Sequence, residues 1–193
     1  MKPTVLYLHG FNSSGMVFNH IISQIQDHVP IVAEYDSTLS LDCAHNAIKH
    51  EELSKKYFIV AHSLGGILAH RIACEDNNVA GIVTLSSPFG GHNAAAFLRF
   101  AFPKLRVMKD LAPYSNSVEF SRRIIPPCRW LNVVTTGGGL PFMADANDGV
   151  VSVKSQRCVK PTDELILSTN HFEVVQHPAV INAINSVING TLL

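Results

Sequence analysis

The chain has 193 residues, 47% of them hydrophobic, which suits one domain with one well-filled core. Fifteen basic and fifteen acidic residues leave zero formal net charge and no block of one sign, so neither a nucleic-acid backbone nor an anionic membrane surface is the expected partner. No apolar run reaches membrane-spanning length, and Cys43, Cys74, Cys128 and Cys158 form no C-x-x-C pair, which removes a zinc ribbon and a redox motif from consideration.

Met1-Lys2-Pro3-Thr4 runs straight into Val5-Leu6-Tyr7-Leu8, too short an apolar run for a signal peptide, and the expectation is a cytoplasmic protein with four free thiols. Val5 to Leu8 reads as a first buried strand ending in the polar loop His9-Gly10-Phe11-Asn12-Ser13-Ser14-Gly15. Ile21, Ile22 and Ile25 share a helical face, and Ile31-Val32-Ala33 opens a second strand expected to reach Tyr35-Asp36. Leu41, Ala44, Ile48 and Leu53 carry the next amphipathic helix. Tyr57 to Ala61 is a third strand, and Ile67 to Ala73 continues with helical spacing. Val79 to Leu85, Trp130 to Thr135 and Glu164 to Leu167 supply three more strands, and Pro178 to Ile188 the closing helix, with proline at its first turn. Alternating strands and helices predict a mostly parallel sheet covered on both faces, with the functional loops at the C-terminal ends of the strands. The stretch from His92 to Pro127 breaks that rhythm and is the candidate for a cap, with short helical pieces at Val107 to Leu111 and Val118 to Ile125.

The chemistry points to Ala61-His62-Ser63-Leu64-Gly65. Small residues two before and two after a serine permit an abrupt strand-to-helix turn that lifts the hydroxyl clear of the sheet. A serine hydroxyl needs a base and a carboxylate to orient that base, here in the chain order Ser, Asp, His. His171, four residues past the last strand, is the candidate base, with His177 in reserve; His62, next to the nucleophile on a strand, is expected to point elsewhere. Asp148, followed by Gly149, is preferred over Asp145 as the carboxylate, Asp36 precedes the serine, and Asp163 starts its strand at the wrong end. Two backbone N–H groups, of Phe11 and Leu64, are the candidate oxyanion donors.

These residues together resemble the α/β-hydrolase-fold serine esterases and lipases, the compact bacterial lipases above all. Leu8-His9-Gly10-Phe11 is similar to the family's oxyanion strand-loop, Ala61 to Gly66 to its nucleophile elbow with Ala in place of the first Gly, and Asn147-Asp148-Gly149-Val150-Val151 to its acid loop. Thr84-Leu85-Ser86-Ser87-Pro88-Phe89-Gly90-Gly91 is similar to the family's T-x-x-[ST]-P-H-x-G segment, with Phe89 where histidine is usual, and Asp110 to Ser115 to a D-L-x-P-x-S segment of the cap. The resemblance spans Val5 to Ile188. It implies one α/β-hydrolase domain over 1–193, a three-layer sandwich with a sheet of about six strands, starting at the family's third strand, and a cap-like insertion at about 92–127.

The activity it implies is cleavage of a small-molecule or lipid ester by a monomer, through Ser63, His171 and Asp148 and an acyl-enzyme, with no metal or organic cofactor. The alternatives are an acyltransferase or thioesterase on the same residues, or a hydrolase-fold protein that binds without cleaving. Phe89, Phe97, Phe142 and Met143 are the expected substrate-binding residues, with Phe100 and Phe102 beside them, and a short cap favours short or medium acyl groups.

Overall fold

A computed structural model describes residues 2–48, 53, 55–92, 104–139 and 145–191. Six strands form one all-parallel sheet: β1 (Thr4–Leu8), β2 (Val29–Ala33), β3 (Tyr57–His62), β4 (Val79–Leu85), β5 (Arg129–Thr135) and β6 (Asp163–Leu167), in the order β2-β1-β3-β4-β5-β6. The helices are α1 (Asn19–Gln24), α2 (Leu41–Ile48), α3 (Leu64–Glu75), α4 (Val107–Asp110), α5 (Asn116–Arg123), α6 (Val153–Gln156) and α7 (Pro178–Asn189). Among the described residues no helix is long and apolar enough to cross a membrane.

The four inner strands are near-continuous apolar runs because both faces of the sheet are covered. Leu6, Leu8, Ile59, Ala61 and Ile82 pack with α2 and α3 on one face; Val5, Tyr7, Val60, Val83 and Leu131 pack with α1 and α7 on the other. The two edge strands are more open, as a strand with one neighbour must be: β6 alternates half-buried and exposed positions, and β2 leaves Val29 and Val32 partly in solvent.

Several boundaries differ from the sequence reading, and three of them have a clear local reason. β2 begins two residues earlier than expected and takes in Pro30, which an edge strand tolerates because its missing N–H faces no partner. It stops at Ala33, and Asp36 turns instead to accept hydrogen bonds from the Thr38 N–H and hydroxyl. α5 starts at Asn116, two residues early, because the Ser115 hydroxyl caps it by accepting from the Val118 N–H at 3.3 Å. Within the expected cap, α4 and α5 lie on the α2–α3 face, where Val107, Met108 and Leu111 join its core; residues 93–103 are outside the described residues.

Candidate active site

β3 ends at His62 and α3 begins at Leu64, so the whole reversal falls on Ser63, with φ 55° and ψ −122°. Few non-glycine residues adopt such a backbone, and it persists here because both flanks are fixed. The Ser63 N–H donates to the Leu85 carbonyl at 2.8 Å, and the turn presses against β1 so closely that a Cβ on Gly65 would lie 2.2 Å from the Leu8 carbonyl oxygen. On the other side of the serine, a Cβ built on Gly10 would come within 3.1 Å of the Ser63 Cβ. The loop after β1 therefore runs directly over the serine. The Leu64 N–H stands at the first turn of α3, among donors that a helix leaves without internal partners.

Asp148 and His171 meet above the C-terminal ends of β5 and β6, both fully buried. The Nδ1–H of His171 donates to Asp148 Oδ2 at 2.8 Å, and the His171 backbone N–H donates to the Asp148 carbonyl at 2.9 Å. With Nδ1 carrying the proton, Nε2 is the ring nitrogen left as acceptor. Burial pushes the Asp148 carboxyl up, but hydrogen bonding and charge from His171, with the Val151 N–H and the Thr135 hydroxyl, outweigh it and hold the group below the usual carboxylate range. A carboxylate results, aimed at an imidazole.

His62 brings this pair to the elbow. Its Nε2–H donates to the His171 carbonyl at 2.8 Å, and the two rings lie 4.9 Å apart. Burial, then the nearby His171, push its pKa down to about 4, so its ring is neutral around pH 7. Ser63, one residue along, thus shares a junction with the Asp148–His171 pair, although no hydrogen bond joins the Ser63 hydroxyl to His171 among the described residues. Such bonds are often long until substrate binds.

The fold has counterparts among solved structures. The mature form of Bacillus licheniformis lipase BlEst2 superposes with a TM-score of 0.74 at 16% identity, over 97% of this chain and 92% of that one. A metagenomic carboxyl esterase does so at 0.76 and 15%, over 99% and 76%, and Paleococcus ferrophilus monoacylglycerol lipase at 0.65 and 16%, over 97% and 95%. This chain has the α/β-hydrolase fold. No family model matches its sequence, and neither does any curated protein.

Within that fold the other candidates fall elsewhere. Asp145 is exposed, Asp163 pairs with Arg129 at the opposite end of the sheet, and His177 caps α7 by accepting from the Ala179 N–H. The expectation that Phe89 contacts substrate is corrected: it is 0% exposed, edge-on to Trp130 at 5.2 Å and to His70 at 6.2 Å, and so belongs to the core. Its segment fastens instead to α6 and the acid loop, with the Gly90 N–H on the Ser155 carbonyl of α6 and the His92 Nε2–H on the Val150 carbonyl. Phe97, Phe142 and Met143 lie outside the described residues. Phe172, 70% exposed and edge-on to His171, is an apolar residue at the site that the sequence reading passed over, as it did Thr135 and Gln156, whose side chains contact Asp148. Position was the available signal for Thr135, which closes β5 at the end of the sheet that carries the site.

Proposed function

We propose that the chain is a serine hydrolase of carboxylic esters, with Ser63 as nucleophile, His171 as general base and Asp148 as its orienting carboxylate. The observation that carries this reading is the buried Asp148–His171 bond of 2.8 Å, joined through His62 to a serine held at positive φ on a strand-to-helix turn. Ser63 Oγ attacks the ester carbonyl as its proton passes to His171 Nε2, and the tetrahedral oxyanion is met by the backbone N–H groups of Leu64 and Phe11. Collapse breaks the bond to the alcohol oxygen, which leaves with the proton from His171. Water then repeats the sequence on the acyl-enzyme, and the acid departs. The fold's likeness to a carboxyl esterase and lipases agrees with this chemistry without fixing the ester.

Labelling with a fluorophosphonate tests the reading. Covalent modification of Ser63, absent in Ser63→Ala, together with steady turnover of nitrophenyl esters, is the expected result. A labelled but non-hydrolysing protein would point to acyl transfer, and an unlabelled one to a binding protein. Running the ester series from acetyl to octanoyl reads acyl preference, because each methylene that the site shelters is worth about 0.8 kcal/mol.

A further inference from the structure

Asp148 rests on a fully buried polar network. Its Oδ1 accepts the N–H groups of Val150 and Val151 at 2.9 and 2.7 Å. Its Oδ2, which takes the His171 proton, also accepts the Thr135 hydroxyl at 2.7 Å and Gln156 Nε2 at 3.3 Å. The Gln156 amide cannot be reversed: Oε1 accepts the Thr135 N–H at 2.9 Å and Nε2 donates to the Thr135 carbonyl at 3.0 Å, and neither backbone group can exchange roles. One hydrogen of the NH₂ goes to the Thr135 carbonyl; the other has Asp148 Oδ2 and the Val151 carbonyl both at 3.3 Å from Nε2, and the charged carboxylate oxygen is the stronger acceptor. The Thr135 hydroxyl has one proton and two acceptors in reach, Asp148 at 2.7 Å and Gln156 Oε1 at 3.3 Å; the nearer, charged oxygen takes it. Ser86 Oγ, 2.8 Å from Thr135 Oγ1, then supplies the hydrogen that Thr135 accepts. The network continues through Gln156 and Asn132 to Thr84 and Trp130, so its members anchor one another.

We propose that Thr135 and Gln156 are positioning residues for the reaction, which fix the Asp148 carboxylate on His171 and divide its charge between the base and the protein. The proposal rests on the Ser63–His171–Asp148 reading above. Hydrogen bonds from Thr135 and Gln156 are strongest while His171 is neutral and Asp148 carries its full charge, and weaken once the imidazolium neutralises it. They therefore favour the neutral base, and their removal makes a proton on His171 easier to hold. The other titratable groups around the pair are His62, whose ring lies against His171, and His92, bonded to the Val150 carbonyl; Asp145 and Glu173 on the flanking loops are exposed.

The experiment is kcat and KM against pH on one nitrophenyl ester for the wild type, Thr135→Val, Thr135→Ser and Gln156→Glu, with thermal unfolding of each. In Thr135→Val, kcat should fall roughly tenfold or more with KM within about twofold, and the acid limb of kcat/KM should move up by about half a pH unit. Thr135→Ser, which keeps the hydroxyl, should restore both. Gln156→Glu replaces the NH₂ with a second carboxyl oxygen beside Asp148, and its acid limb should move up by about a unit or more. Folded Thr135→Val and Gln156→Glu enzymes with unmoved acid limbs would overturn the proposal, and if Thr135→Val does not fold, the Gln156→Glu profile decides it in the same way. Asp148→Asn separates the two levels. If it retains activity, the triad reading falls and this proposal with it; if it collapses while the limbs stay put, this proposal falls alone.

Discussion

Asp145 and Asp148 share one short loop, and only their surroundings separate them. Asp145 is exposed, whereas Asp148 is fully buried and accepts hydrogen bonds from His171, Thr135, Gln156 and two backbone N–H groups. Asp148→Asn should therefore lower kcat by about 10⁴-fold, since an amide there favours the wrong tautomer of the base, while Asp145→Asn should leave it nearly unchanged. Ester turnover by the two variants measures this directly, and equal losses would reverse the assignment. Ser63→Ala should cost on the order of 10⁶-fold in kcat with the fold retained, read from turnover and circular dichroism. At this scale the sequence carried what local grammar encodes: the small residues at 61 and 65 around the serine, and an aspartate followed by glycine. It could not carry His62, which makes its bond to the His171 carbonyl across 109 positions, or Gln156, whose amide matters because burial turns it onto Asp148. Strand alternation turns His62 away from Ser63, but it gave no sign that the ring would bond the His171 carbonyl and lie against its ring.

At the scale of elements, packing holds the β3–α3 reversal tightly in place. A methyl group on Gly65 would lie 2.2 Å from the Leu8 carbonyl oxygen and 2.7 Å from that of His9, both backbone atoms of β1 and its exit loop, which cannot swing aside as a side chain could. Gly65→Ala should cost about 3 kcal/mol, the upper end of the usual overpacking range, and should lower activity further by moving β1's loop away from Ser63. Urea unfolding and ester kinetics on the variant check both effects; an unchanged midpoint would mean that the elbow is looser than its contacts indicate. The inner strands were legible because burial on both faces demands continuous apolar runs, and Val79 to Leu85 was expected and found with the same ends. The edge strand β2 was misjudged because Pro30 reads as a strand breaker until its position at the edge is known. Phe89 was misjudged because similarity to a family segment says nothing of which way the ring turns, and here Trp130 and His70 receive it.

For the molecule as a whole, two buried histidines on opposite sides of the sheet make the fold sensitive to acid. His62 sits beside the site, and His70 lies in the α2–α3 layer, with Nε2 on the Ile124 carbonyl and its ring among Phe89, Phe120 and Trp130. Burial is the main cause that lowers each from 6.5 to about 4. Between those values the unfolded chain binds protons that the folded chain refuses, so stability is complete above about pH 6.5 and declines as pH falls towards 4. The loss is on the order of 2–3 kcal/mol for each histidine, a large part of the margin of a typical domain. Asp148 acts in a lower window: its carboxyl is held below the usual range, so its contribution persists through this interval and fades only as the carboxylate itself protonates. Urea unfolding at pH 7 and pH 4.5 should show the decline in the wild type. His70→Leu, on the α2–α3 face, should remove a large part of the pH dependence whatever it does to stability at pH 7, because an apolar side chain has no proton to take up. An equally steep decline in that variant would assign the acid sensitivity to groups other than these two histidines.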